Sequence, residues 1–247
     1  MKKTPNSIRV VATKITGHLH RSKQTPCQDF YHYACSGNKL VAVVSDGAGS
    51  AKYGKIGAKI VCETLVDLLI NAPVKNIEDT VRCAIEIARE KLIIHRLNKS
   101  KSEQEILNFS ATIVGVVYHR DHGVFFHIGD GAGIALCDAD KYIISRPANG
   151  CFDCETFFYT MNNWQDCLRF TKIDKATSIF LMTDGVTRFA LSDSACELQK
   201  GFIFPINTYL KSESNKLRAA QALNNTLDTG QARKLNSDDK TFLWAEL

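Results

Sequence analysis

A chain of 247 residues, 45% of them hydrophobic, can bury a substantial core as one large domain or two small ones. It has no apolar run of about 18 residues, and Met1-Lys2-Lys3 leads into Thr4-Pro5-Asn6-Ser7 without an apolar segment, so neither a membrane span nor a secretory leader is expected. The net charge of +5 peaks at Arg89, Lys91, Arg96, Lys99 and Lys101 without interleaved aromatics, which reads as a solvated face and not a nucleic-acid footprint, while nine scattered cysteines fit a reducing, cytoplasmic setting.

Ile8 to Ile15 alternates as a first strand, and Gly17 to Pro26 is a polar loop carrying His18, His20, Arg21 and Lys23 ahead of Cys27-Gln28-Asp29. Phe30 to Cys35 and Leu40 to Ser45 form a hairpin about Ser36-Gly37-Asn38. After Asp46-Gly47-Ala48-Gly49, apolar residues from Ile56 to Leu69 recur at helical spacing until Pro73 stops them. Asn76 opens a second helix as N-cap, with its buried stripe running from Ile77 to Leu92. Lys99 to Asn108 is a polar loop. Ser110 to Tyr118, Gly123 to Ile128, Gly131 to Cys137 and Lys141 to Ser145 follow as strands of an antiparallel meander, with His119 to His122 and Asp138 to Asp140 as turns. Pro147 to Thr171 reads as an irregular flap, and Ile179 to Thr183 as a strand. Asp193 to Lys200 and Ser214 to Leu227 are helical, and Thr241 to Glu246 closes the chain as a strand. This order predicts an α+β layered sandwich in a single domain spanning residues 1–247, with no repeat or linker.

Three apolar strands end on a carboxylate beside glycine: Asp46-Gly47, Gly129-Asp130-Gly131 and Asp184-Gly185. A fourth acidic site, the pair Asp238-Asp239, precedes the last strand. One such strand end is ordinary turn chemistry. Four predict acids converging at one pole of the sheets, where they repel one another unless a hard divalent cation neutralises them. Two cations sharing a carboxylate lower the pKa of a water between them and clamp a phosphoryl oxygen, which is metal-assisted hydrolysis. A rival reading takes Gly49-Ser50-Ala51-Lys52-Tyr53-Gly54-Lys55 as a phosphate loop of a nucleotide hydrolase. It has Ile56 where Ser or Thr should hold magnesium, and the strands after it do not alternate with helices.

Six elements in order resemble the metal-dependent protein phosphatases, the type 2C serine/threonine family in its compact bacterial form. They are Cys27-Gln28-Asp29, Ser45-Asp46-Gly47-Ala48-Gly49, Ser110-Ala111-Thr112, Ile128-Gly129-Asp130-Gly131, Thr183-Asp184-Gly185-Val186 and Asp238-Asp239-Lys240-Thr241. Asn149 to Phe158 is similar to the flap of that subgroup. The resemblance implies a four-layer α-β-β-α sandwich of two mainly antiparallel sheets, with two or three Mg2+ or Mn2+ ions. By this likeness Asp46 bridges two metals, the Gly47 carbonyl ligates one, and Asp184 and Asp238 complete the other, making Asp46, Asp184 and Asp238 the catalytic acids. Asp130 helps to hold a third metal, Asp29 acts through metal-bound water, and a metal-bridging hydroxide attacks phosphoserine or phosphothreonine without a phosphoenzyme. The implied partners are a phosphoprotein substrate and a cognate serine/threonine kinase; neither nucleic acid nor membrane is expected, and the chain is expected to be a monomer.

The sequence departs from that pattern at several positions. Gln28 stands where some members carry a metal-binding Glu, and Ala48 where eukaryotic members carry His. Gln24 occupies the place of a phosphate-binding Arg, which passes that role to His20, Arg21 or Lys23. Asp239 replaces the usual Asn, so either member of the Asp238-Asp239 pair is a candidate ligand, and register with Thr241 selects Asp238. These departures motivate the alternative of a pseudophosphatase that binds phosphoproteins without turnover. Cys151, Cys154 and Cys167 have partial zinc-knuckle spacing but no second pair, so packed thiols are the expected state. His127 is expected to be a satisfied core residue.

Overall fold

A computed structural model describes residues 8–97, 103–138, 141–148, 156–192, 194–195 and 197–247. The flap motif at Asn149 to Glu155, with Cys151 and Cys154, lies outside the described residues, as do Lys99, Lys101 and Asp193.

The alternating runs fold as ten strands. One five-stranded sheet holds β1 (Arg9–Ile15), β10 (Lys240–Glu246), β9 (Ala176–Met182), β6 (Ala132–Cys137) and β7 (Tyr142–Ser145), in that order. The other holds β2 (Phe30–Ser36), β3 (Lys39–Ser45), β4 (Ile113–His119), β5 (His122–Ile128) and β8 (Arg169–Asp174). Every neighbouring pair of these strands is antiparallel. That arrangement leaves no parallel sheet among the described residues for a nucleotide-binding loop to serve.

The helices in chain order are α1 (His18–Ser22), α2 (Gly54–Asn71), α3 (Ile77–Leu97), α4 (Trp164–Cys167), α5 (Asp184–Ala190), α6 (Lys200–Ser212), α7 (Lys216–Leu227) and α8 (Gly230–Leu235). Three apolar layers hold them to the sheets. Val44, Val114, Val116, Phe125, Leu181 and Leu243 fill the space between the two sheets. Val41, Val43 and Phe126 face Leu65, Leu69 and Ile85 of α2 and α3 on one outer side. On the other, Phe180, Phe242 and Trp244 face Val186, Ile203 and Leu223 of α5, α6 and α7. Strands apolar on both faces are what a buried pair of sheets requires, and β3 is buried from end to end. The expected α-β-β-α layering is therefore present.

Several local expectations are corrected. The meander from residue 110 to 145 is split: β4 and β5 pair in one sheet and β6 and β7 in the other. The chain changes sheets at Gly129, whose φ of +112° only glycine adopts without strain. Gly17 to Pro26 is not all loop, since α1 lies inside it. A 3-10 helix at Glu103–Phe109 occupies the second half of the stretch expected to be a loop from Lys99 to Asn108. Asn76 does not take up the extended backbone of an N-cap; it is left-handed at φ +58°, and its carbonyl accepts the Thr80 amide. The supposed flap contributes α4 and the edge strand β8, whose polar, half-buried residues hid its alternation. Among the described residues from 194 to 199, the helix expected over Asp193 to Lys200 is not present. Leu191 bridges Leu198, Ala195 sits at φ +51°, and helix begins only at Lys200. Neither α5 nor α8 was expected, because each offers fewer than two turns of periodicity.

Candidate functional site

Each acid is held by what its strand end is bonded to. Beyond β3 the chain runs alongside residues 110–112. The Asp46 amide donates to Thr112 Oγ1 at 3.0 Å, the Thr112 amide donates to Asp46 O at 2.9 Å, and the Ala48 amide donates to Ser110 O at 2.9 Å. The motif Ser110-Ala111-Thr112 thus fixes the backbone that presents Asp46. Thr183 follows β9 as the N-cap of α5, so Asp184 is the first helical residue. A Cβ on Gly185 would lie 1.8 Å from Asp239 O, so glycine is what lets α5 approach the 238–239 segment. After Gly129, Asp130 Oδ2 accepts the Thr156 hydroxyl at 2.7 Å.

The Asp238-Asp239 pair divides in role. Asp239, 1% exposed, accepts the Gly17 amide at 2.6 Å, the Gln28 amide at 2.6 Å and His20 Nδ1 at 2.8 Å. Its carboxylate ties the segment before β2 to the start of β10. Asp238 lines the cleft and is steadied from behind, where Lys240 Nζ donates to its carbonyl at 3.0 Å and to Asn236 O at 2.8 Å. Asp29 is fully buried and accepts the Thr183 hydroxyl on Oδ2 at 2.8 Å.

Asp130, Asp184 and Asp238 line one cleft of about 880 Å³. Burial, then the charges of Asp29, Asp184 and Asp238, hold Asp46 well above the usual carboxylate range. Burial, then Asp130, Asp238 and Asp29, push Asp184 up to about 8. Burial raises Asp130 too, against the pull of the Thr156 hydrogen bond. Asp29 reaches about 7 through burial, opposed by the Thr183 hydroxyl and reinforced by Asp239. Acids that raise one another in this way occupy one place, and that place favours a compensating cation.

The donor set fits magnesium or manganese. Asp29 Oδ1, Asp130 Oδ1 and Asp184 Oδ1 are buried without a hydrogen-bond partner, and every candidate donor is a hard oxygen. Among the described residues no three His, Cys, Asp or Glu side chains close around a single point. Any ion would therefore take few carboxylates, with carbonyl and water oxygens making up its shell, as magnesium does. The Gln28 carboxamide lies 2.7 Å from Gly47 O and 3.1 Å from Ala48 O. With its nitrogen inward it donates to both carbonyls; its oxygen inward is favourable only around a cation.

The cations proposed from sequence are placed differently. His20 is taken up by Asp239, and Arg21 Nη2 donates to Asp228 at 3.2 Å. Lys23 is exposed and does not line the cleft. Two other cations, Arg188 and Lys234, line the same cleft as the acids. Sequence reading missed both. The available signal was Arg188, four residues after Asp184 and so on the same face of any helix starting at Thr183. His127 is buried, with Nδ1 3.1 Å from Ser145 Oγ and Nε2 unpartnered, and burial, then Arg169, holds it well below the usual histidine range.

The profile of a family described as Protein phosphatase 2C matches residues 16–228. No curated protein matches this chain. Among solved structures, the serine/threonine phosphatase Stp1 from Staphylococcus aureus superposes with a TM-score of 0.67 at 15% identity, covering 100% of this chain and 98% of that one. The catalytic domain of the serine threonine protein phosphatase PstP, in complex with two manganese ions, gives 0.65 at 14%, covering 97% and 98%. RsbX in complex with magnesium gives 0.58 at 13%, covering 99% and 98%. At such identities these likenesses show the fold.

Proposed function

Because this chain belongs to the protein phosphatase 2C family, we propose that it is a metal-dependent phosphoprotein phosphatase acting on phosphoserine or phosphothreonine. The observation that carries the reading is the convergence of Asp130, Asp184 and Asp238 on one cleft, with Asp46 buried within reach of the Asp184 and Asp238 charges and with buried carboxylate oxygens of Asp130 and Asp184 that lack partners. Asp46, Asp184, Asp130, Asp238 and the Gly47 carbonyl would hold Mg2+ or Mn2+. When bound, these ions supply an acidified water and neutralise the phosphoryl oxygens.

The remaining work belongs to the chain itself. Thr112 orients the Asp46 backbone. Thr183 accepts the Thr241 amide at 3.0 Å and donates to Asp29, joining β9, β10 and Asp29 behind the site. Asp239 and His20 lock α1 against the start of β10, so Asp238 is the member of the pair left to face the cleft. Asp29 is too deeply buried to touch a substrate, and its place beside Asp46 suits it to holding a proton or charge behind that carboxylate.

A catalytically silent phosphoprotein-binding module is the second reading. It is favoured by Gln24 in the place of the family's arginine, and by the Gln28 amide lying on Gly47 O, the expected ligand carbonyl. Hydrolysis of p-nitrophenyl phosphate and of a phosphothreonine peptide separates the two. We expect turnover with manganese or magnesium that EDTA, Asp46→Asn and Asp184→Asn each abolish. A protein that binds manganese yet hydrolyses neither substrate would leave the silent module as the reading.

A further inference from the structure

The site has too few cations in the expected place and unspent ones elsewhere. A phosphomonoester dianion entering a cleft lined by Asp130, Asp184 and Asp238 needs cations to receive it, and beyond any metal those acids hold, the cations must come from side chains on the cleft wall. The segment before β2 does not supply them: His20 is bonded to Asp239, Arg21 is paired with Asp228, and Lys23 does not line the cleft. On the opposite end of the sequence Arg233 is also spent, donating to Asp228 at 3.0 and 2.9 Å. That leaves Arg188 and Lys234, which both line the acid cleft and form no hydrogen bond or ion pair with any described residue.

Arg188 is the better placed of the two. It lies one helical turn beyond Asp184 on α5, hence on the face that Asp184 presents to the cleft, and it is exposed at its mouth. Its planar fork matches two phosphoryl oxygens, whereas lysine offers a point charge. Lys234 lies in the last turn of α8, four residues before Asp238, and the Arg233–Asp228 bonds hold that helix in place. We propose that Arg188, assisted by Lys234, is the substrate-phosphate anchor of this chain, replacing the cation missing at Gln24. The inference rests on the phosphatase reading for its substrate. It places the non-bridging phosphoryl oxygens on the α5 and α8 side of the cleft.

Steady-state kinetics on p-nitrophenyl phosphate with manganese, and competitive inhibition by inorganic phosphate, test it. Losing a charge-assisted fork costs about 1.4 kcal/mol or more, so Arg188→Ala should raise both KM and the phosphate inhibition constant roughly tenfold, with kcat within about threefold. Lys234→Ala should raise both by roughly threefold, Arg188→Lys should recover part of the loss, and Lys23→Ala should change neither. Unchanged KM and inhibition constants in Arg188→Ala, or the larger effect in Lys23→Ala, overturns the anchor while leaving the phosphatase standing. Where the unaltered protein turns over no substrate, calorimetric titration of the manganese-loaded protein with inorganic phosphate decides. Phosphate binding that Arg188→Ala weakens keeps the anchor and removes the hydrolase, and binding that it leaves unchanged, or no binding, overturns the anchor.

Discussion

Asp29 gives the acid cluster a thermodynamic signature that needs no turnover assay. Its carboxyl ordinarily titrates near 3.8 and is pushed up to about 7 here, burial being the largest cause. A raised acid favours the folded state while protonated, so its contribution is complete below the ordinary value and disappears as pH rises through about 7. Between pH 5 and 8 the unfolded chain carries the charge throughout, whereas the folded chain acquires it only near the top of the range. At roughly 1.4 kcal/mol per pH unit per proton, the metal-free protein should lose about 2–3 kcal/mol across that interval through this one group. For a chain of this length that is a fall in Tm of about 5–10 °C. Asp29→Asn keeps an oxygen to accept the Thr183 hydroxyl and offers Asp46 an N–H, so it should remove that component of the slope and be the more stable protein at pH 8. Thermal unfolding in EDTA at pH 5 and 8, comparing unaltered protein with Asp29→Asn, isolates Asp29 from the histidines that titrate in the same range. Equal slopes in the two proteins would refute the assignment of a raised pKa to this buried carboxyl.

Three further outcomes follow from the same geometry. Thr183→Val removes the acceptor of the Thr241 amide and the donor to Asp29, and should cost about 2 kcal/mol in urea unfolding while raising the Asp29 pKa further. Gly185→Ala drives a Cβ to 1.8 Å from Asp239 O, so α5 must shift; about 3 kcal/mol of stability should be lost, together with manganese affinity measured by calorimetry. Arg89→Ala strips the donor to Tyr159 O at 2.5 Å and Met161 O at 3.0 Å, as well as the cation over the Trp164 ring. It should cost roughly 2 kcal/mol and expose residues 159–164 to limited proteolysis.

The sandwich was legible because its strands are long apolar runs and its two main helices carry clear stripes. Val41 to Val44 and Leu65 to Leu69 admit few other placements. The strand-end acids were legible for the same reason, since the end of such a run locates its Asp. Elements whose evidence lies in tertiary context were not legible. The change of sheet at Gly129 looks, in sequence, like any other turn within a meander. Edge strand β8 carries Arg169, Thr171 and Lys172 on residues that the sheet covers only partly. The short α5 owes its existence to Gly185 packing against the 239 carbonyl, not to periodicity. The same blindness applied to charge: sequence neighbours suggested His20, Arg21 and Lys23 as free cations, and only the fold reveals the partners that Asp228 and Asp239 supply to two of them.

The aspartate at position 239 shows how a substitution beside a site can preserve its geometry. Three donors, two amides and the His20 ring, point at this one buried side chain. An amide side chain there has a single acceptor oxygen, so it cannot receive all three as well as a carboxylate with two oxygens does. The cost of burying the carboxylate charge is offset by those hydrogen bonds, including the one to His20, which commits that histidine to structure. Phosphate recognition then falls to side chains on the far wall of the cleft, where Arg188 shares a helix face with Asp184. With His20 bonded to Asp239 and Arg188 without a partner among the described residues, the side-chain charge available to a phosphoryl group lies on α5 and not on α1.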